Sequence, residues 1–131
     1  MPKTIAILNQ KGGVGKTTLA RRIATSSSRR FVDVVLGQLQ LLSRFDFILT
    51  CESVTHGKPH PEIYLLAAER CKSPPARVLV LEDSQHGCRA AVDAGTFAVA
   101  VPSSHSVRHI FPGARFIAES LRDRRIYGIL S

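Results

Sequence analysis

A chain of 131 residues, 44% of them hydrophobic, has the length and apolar content for one compact core. No apolar run approaches the roughly 18 residues of a membrane span, and no charged-then-apolar leader opens the chain, so the expected setting is cytoplasmic, with no membrane partner. Eighteen Lys and Arg against ten Asp and Glu give a net charge of +8, which suits anionic ligands, or equally a set of solvated basic helix faces.

Strand-like and helix-like segments alternate. TIAILN (4–9) is a short apolar run of β character that leads into glycines and then a helix beginning GKTTLARRIA. Leu19, Ala20, Ile23, Ala24 and Ser27 fit one helical face, so that helix is expected to reach about residue 27. A strand at RRIATSS is the alternative; it is disfavoured because it would leave about six residues for a parallel crossover that needs roughly a dozen. FVDVVLGQLQLL (31–42) has helical spacing, FDFILT (45–50) reads as a strand, and PEIYLLAAERC (61–71) as a helix with Pro61 in its first turn. RVLVLED (77–83) is a buried strand, HGCRAAVDAG (86–95) a helix ended by Gly95, and FAVAV (97–101) a strand ended by Pro102. ARFIA (114–118) is a short last strand before a final helix, ESLRDRRIYGIL. The pattern predicts one α/β domain over 1–131, a three-layer Rossmann-like sandwich of about five mostly parallel strands with helices on both faces.

Cys51, Cys71 and Cys88 lack metal-ligand spacing and read as reduced, partly buried thiols. His56, His60 and His86 fall in loops, without a helical i,i+4 pair, and read as non-ligands. The pairs Arg21–Arg22, Arg29–Arg30 and Arg124–Arg125 lack aromatic interleaving, so nucleic acid is not the expected partner. No base–orienter geometry can be argued for Ser103, Ser104 and His105.

KGGVGKTT (11–18) lies between a strand and a helix, the context of a phosphate cradle. Gly12, Gly13 and Gly15 let backbone N–H groups converge on an anion, and the helix N-terminus adds its positive end. Lys16 can reach terminal phosphates and the Thr17 hydroxyl a Mg²⁺ shell. The common form of this loop has glycine where Gln10 stands; with Lys11 following, the first 20 residues resemble the ParA/MinD family of partition ATPases. That resemblance implies nucleotide contacts from Lys11, Gly12, Gly13, Val14, Gly15, Lys16, Thr17 and Thr18, with ATP and Mg²⁺ as ligands and a homodimer as a further option.

ATSSSRR (24–30), GKPHPEIY (57–64) and VLEDSQHG (80–87) lie in a stretch from about residue 25 onward that resembles the haloacid dehalogenase-like hydrolases, of the β-phosphoglucomutase-like subgroup. The resemblance implies that Thr25 binds phosphate, Lys58 orients it, and Glu82 and Asp83 hold Mg²⁺. The residues themselves agree in part: two adjacent carboxylates ending an apolar strand make a hard oxygen site where α/β sheets collect ligands. Asp83 as a plain helix cap and Lys58 as a solvated loop lysine are the alternatives. No Asp-x-Asp occurs in the sequence, so ordinary aspartyl-phosphate chemistry is not expected.

The two resemblances together suggest a chimera, engineered or recombined, with 1–24 as the loop segment and 25–131 as the hydrolase segment. The leading expectation is Mg²⁺-assisted binding of ATP or phosphate at 11–18 with weak or no hydrolysis. The alternatives are a slow Mg²⁺-dependent ATPase or phosphatase, and a scaffold with an empty loop. If TIAILN occupies the hydrolase's nucleophile-strand position, Glu82 and Asp83 lie near the loop, and Asp83 is the favoured partner of Thr17 in a shared Mg²⁺ site; if it replaces the second strand, they do not.

Overall fold

The computed structural model describes residues 7–9, 22–104 and 106–130. Six parallel strands form one sheet in the order β3-β2-β1-β4-β5-β6. They are β1 (Ile7–Asn9), β2 (Arg22–Ala24), β3 (Phe47–Leu49), β4 (Leu79–Glu82), β5 (Phe97–Ala100) and β6 (Phe116–Ile117). The helices are α1 (Arg29–Gln38), α2 (Glu62–Arg70), α3 (Gln85–Asp93) and α4 (Arg124–Leu130). The expected Rossmann-like α/β class holds.

The run from Val78 to Leu81, which leads into and along β4, is apolar throughout because both faces are covered. Val78 and Val80 pack with Tyr64 and Ala67 of α2 and with Ala90 and Ala91 of α3. Leu79 and Leu81 face the other way, against Val99, Ala118 and Ile126 of α4. A strand covered on both faces needs no polar alternation, and each such side chain contributes about 1.5–3 kcal/mol on burial. A third cluster, Val32, Leu36 and Leu41 with Ile23, Phe45 and Ile48, fastens α1 to the β2–β3 end.

The expected helix through residue 27 is corrected. Arg22–Ala24 is a strand, paired with β1 on one side and β3 on the other. Thr25 N–H continues the ladder to the Leu49 carbonyl at 2.9 Å, and Arg22 pairs with Asp46 at 3.1 Å. Two neighbouring strands satisfy its backbone groups, which outweighs a helical spacing that a short apolar run does not fix. Twelve residues, 10–21, separate β1 from β2, about the length a parallel connection needs, so the crossover does not exclude a strand here.

Local signals explain the helix limits. Ser28 caps α1, its hydroxyl accepting from Phe31 N–H at 3.2 Å. The chain then leaves the helix through Gln40, at φ 56°, short of the expected residue 42. Ser84 caps α3 by accepting from Gly87 N–H at 3.0 Å, so the cap is not Asp83. Gly95, at φ 78°, turns the chain out of α3 while Thr96 N–H returns to the Ala91 carbonyl, as its place in the sequence predicts. The final helix starts only at Arg124, because Asp123 accepts from the backbone N–H groups of Glu119 and Arg125.

Candidate functional site

The strand order reverses direction at β1 and β4, and the crevice outside the C-terminal ends of those strands is where open α/β sheets bind ligands. Three side chains meet at that edge. Glu82 ends β4 on the Val78–Val80 face and is fully buried. Lys58, from the β3–α2 connection, places Nζ 2.6 Å from Glu82 Oε1 and 3.1 Å from the Ala24 carbonyl. The Tyr64 hydroxyl, from α2, donates to the same Glu82 oxygen, and its ring lies under the Lys58 ammonium, 4.9 Å from the centroid.

Thr25 follows Ala24 at the end of β2, buried, with Oγ1 accepting from Ser27 N–H at 3.1 Å. Its position at a strand end corrects its expected place inside a helix, and the Lys58 contact to Ala24 brings the two residues to the same edge. Thr50 ends β3 in the same way, buried, its hydroxyl donating to Glu52 at 2.8 Å.

The electrostatics are those of a buried pair. Only 4% of the Lys58 side chain and none of Glu82 is exposed. Among the described residues, Glu82 Oε2 is buried with no hydrogen-bond partner. Gly87 in the first turn of α3 makes room for the carboxylate, since a Cβ there would overlap it. Burial first, and the Glu82 charge second, push the Tyr64 phenol well above its ordinary pKa, so it remains a donor. Burial and the same carboxylate raise the Cys88 thiol to about 11. Cys88 is buried, Cys71 half-buried and Cys51 exposed.

Glu82 and Asp83 split as the strand pleat requires. Glu82 meets Lys58, and Asp83 follows it half-buried at the strand end. An orphaned, buried carboxylate oxygen next to a second carboxylate is a donor set that fits a hard dication such as Mg²⁺. Lys11, Gly12, Gly13, Val14, Gly15, Lys16, Thr17 and Thr18 lie outside the described residues, as does any contact between Thr17 and Asp83. Sequence reasoning missed Tyr64 and Gly87. The available signal was a tyrosine on an otherwise apolar helix face, whose hydroxyl needs a partner once buried.

A family model described as haloacid dehalogenase-like hydrolase matches residues 1–95. Among curated proteins, the bifunctional riboflavin kinase/FMN phosphatase of Arabidopsis thaliana is 43% identical over 82 residues, covering 63% of this chain and 22% of its own. The phosphorylated carbohydrates phosphatase of Thermotoga maritima is 44% identical over 73 residues, 56% of this chain and 34% of its own. CbbY from Rhodobacter sphaeroides, solved in complex with phosphate, superposes with a TM-score of 0.70 at 32% identity, covering 81% of this chain and 49% of that one. The chain thus spans less than half the length of these relatives.

These likenesses overturn the leading functional expectation. The hydrolase match starts at residue 1 and takes in the glycine loop, and the relatives are phosphatases, so the ATP-binding P-loop chimera gives way to the phosphatase alternative. Because the match covers well over half of the sequence, the chain belongs to the haloacid dehalogenase-like hydrolases.

Proposed function

We propose that the chain acts as a slow Mg²⁺-dependent phosphatase on small phosphomonoesters, phosphorylated sugars foremost. The observation that carries this reading is the buried Lys58–Glu82 pair beside Thr25 at the crevice of the sheet. Relatives named for activity on phosphorylated carbohydrates and on FMN support the substrate class.

Each residue has a definite part. The Lys58 ammonium donates to Glu82 and to the Ala24 carbonyl, which leaves one of its three donors for a phosphoryl oxygen. Thr25 offers a hydroxyl at the same edge. Glu82 Oε2 and Asp83 would hold Mg²⁺, which when bound neutralises charge on the phosphoryl group. The sequence has no Asp-x-Asp to supply a carboxylate that forms an acyl phosphate, so the attack falls to water and the ester is cleaved without a covalent enzyme intermediate. That difference sets the expectation of slow turnover.

The test is inorganic phosphate release from hexose and glycerol phosphates, with Mg²⁺ or with chelator. Release should need Mg²⁺ and fall about 100-fold in Asp83→Asn and in Lys58→Ala, the scale for losing one charge-stabilising group. Circular dichroism checks that both variants are folded. Equal release with chelator and from Asp83→Asn would overturn the reading.

A further inference from the structure

We propose that His56, His60 and Glu62 form a second metal site, for a transition-metal dication such as Zn²⁺, Co²⁺ or Ni²⁺. The inference is independent of the phosphatase reading and reverses the sequence-based view of these histidines as non-ligands. They are four residues apart, but on the turn that leads into α2 rather than on a helix, and that turn brings them together. The imidazole rings stack with centroids 4.6 Å apart and planes inclined by 24°. One ligand atom from each of His56, His60 and Glu62 lies within 4.8 Å of the others.

The carboxylate is held in place before any metal arrives. Glu62 Oε1 accepts from Thr55 N–H and Oε2 from His56 N–H, both at 2.8 Å. These two bonds hold the Glu62 carboxyl below its ordinary pKa, so it stays ionised. His56 Nδ1 sits 2.9 Å from Glu62 Oε2. Zinc–nitrogen and zinc–oxygen bonds of about 2.0–2.2 Å at the tetrahedral angle place ligand atoms about 3.3–3.6 Å apart, so a dication can replace the shared proton once the pair opens by about half an ångström. In the neutral His56 ring that proton moves to Nε2 by way of water. His60 Nδ1 accepts from Glu62 N–H at 3.1 Å, and its lone pair is therefore already turned toward the start of α2. On binding metal it exchanges one exposed hydrogen bond for a coordinate bond.

Two imidazoles, one carboxylate and a water complete a four-coordinate sphere. The nitrogen ligands select against Mg²⁺, which takes oxygen donors. His56 is 63% exposed along its side chain, so the ion enters directly from solvent. The turn between the two histidines carries Lys58, and a bound ion would fasten the segment that delivers Lys58 to Glu82.

The experiment titrates Co²⁺ into the intact protein and follows its visible absorption, then displaces it with Zn²⁺. His56→Ala and His60→Ala should each weaken Co²⁺ binding by about tenfold or more, with circular dichroism unchanged. Asp83→Asn and Cys51→Ser should retain the wild-type affinity and spectrum. Unchanged affinity in both histidine variants would overturn the proposal. So would a loss confined to Asp83→Asn or to Cys51→Ser, because the ion would then belong to the sheet edge or to the exposed thiol.

Discussion

The Lys58 ammonium and the Glu82 carboxylate stand 2.6 Å apart, with 4% and 0% of their side chains exposed. Removing one partner leaves the other charged and buried, which costs about 3–5 kcal/mol. Lys58→Met should lower stability by that amount in urea unfolding. The double variant Lys58→Met, Glu82→Leu should recover much of the loss, because a buried ion pair can be exchanged for apolar packing at little net cost. A double variant as unstable as the two single losses combined would show that the two residues contribute independently, with no coupling between them.

Tyr64 supplies the second donor to Glu82. Tyr64→Phe keeps the ring and removes only the hydroxyl, so no cavity forms. The expected loss is about 1–3 kcal/mol, the range for withdrawing a donor from a buried charged acceptor. Urea unfolding of this variant measures it.

Two glycines in helices should respond in opposite directions to alanine. At Gly87 the new Cβ would overlap the Glu82 carboxylate, which must shift against Lys58 and Tyr64; overpacking of this kind costs about 1–3 kcal/mol. At Gly128, inside α4, the new Cβ meets nothing within 4 Å, and the higher helix propensity of alanine should add about 0.5–1 kcal/mol. Thermal melts of the two variants should move to either side of the wild type.

The sequence is legible where one rule dominates. The run RVLVLED could only be a strand buried on both faces, and Gly95 after HGCRAAVDA could only end a helix; both stand in the structure. Arg22–Ala24 was not legible. Its strand character comes from partners at Ile7–Leu8 and Phe47–Leu49, distant in sequence, and nothing local outweighs the helical spacing. The candidate site divides in the same way. Glu82 and Asp83 stand out as carboxylates that end an apolar run, whereas Lys58, in a loop between Gly57 and Pro59, stands out only through the family resemblance. Tyr64 does not, because its hydroxyl is disguised by an apolar helix face. The histidine cluster was missed because ligand spacing was sought on a helix while the two rings meet across a turn.

Glu52 ties the end of β3 to the start of α1. Its Oε2 accepts from Thr50 Oγ1 at 2.8 Å and from Arg29 N–H at 3.0 Å. The Thr50 hydroxyl first, then backbone N–H groups, lower its pKa from the ordinary 4.5 to about 2. A lowered carboxyl pKa means that the stabilisation is complete above the unfolded value and is lost as pH falls toward the folded one. Glu52→Ala should therefore melt below the wild type at pH 7, and the gap should close between about pH 4.5 and pH 2. A gap that is constant across that range would show that packing, not the ionised carboxylate, accounts for the difference.

The central place of β1 bears on how the molecule folds. Leu8 pairs with Ile23 on one side and with Leu81, about seventy residues later, on the other. Until that distant pairing forms, the chain holds two part-sheets, β3-β2 and β4-β5-β6, each with an open edge. Pairings so far apart in sequence close slowly, because loop entropy is lost before any contact is gained. Meanwhile β4, buried along its whole length in the finished sheet, offers its unpaired edge to other chains, a template for aggregation. Three residues near the start of the sequence thus act as the seam of the sheet, and the speed of their docking decides how long the nascent chain remains at risk of intermolecular pairing.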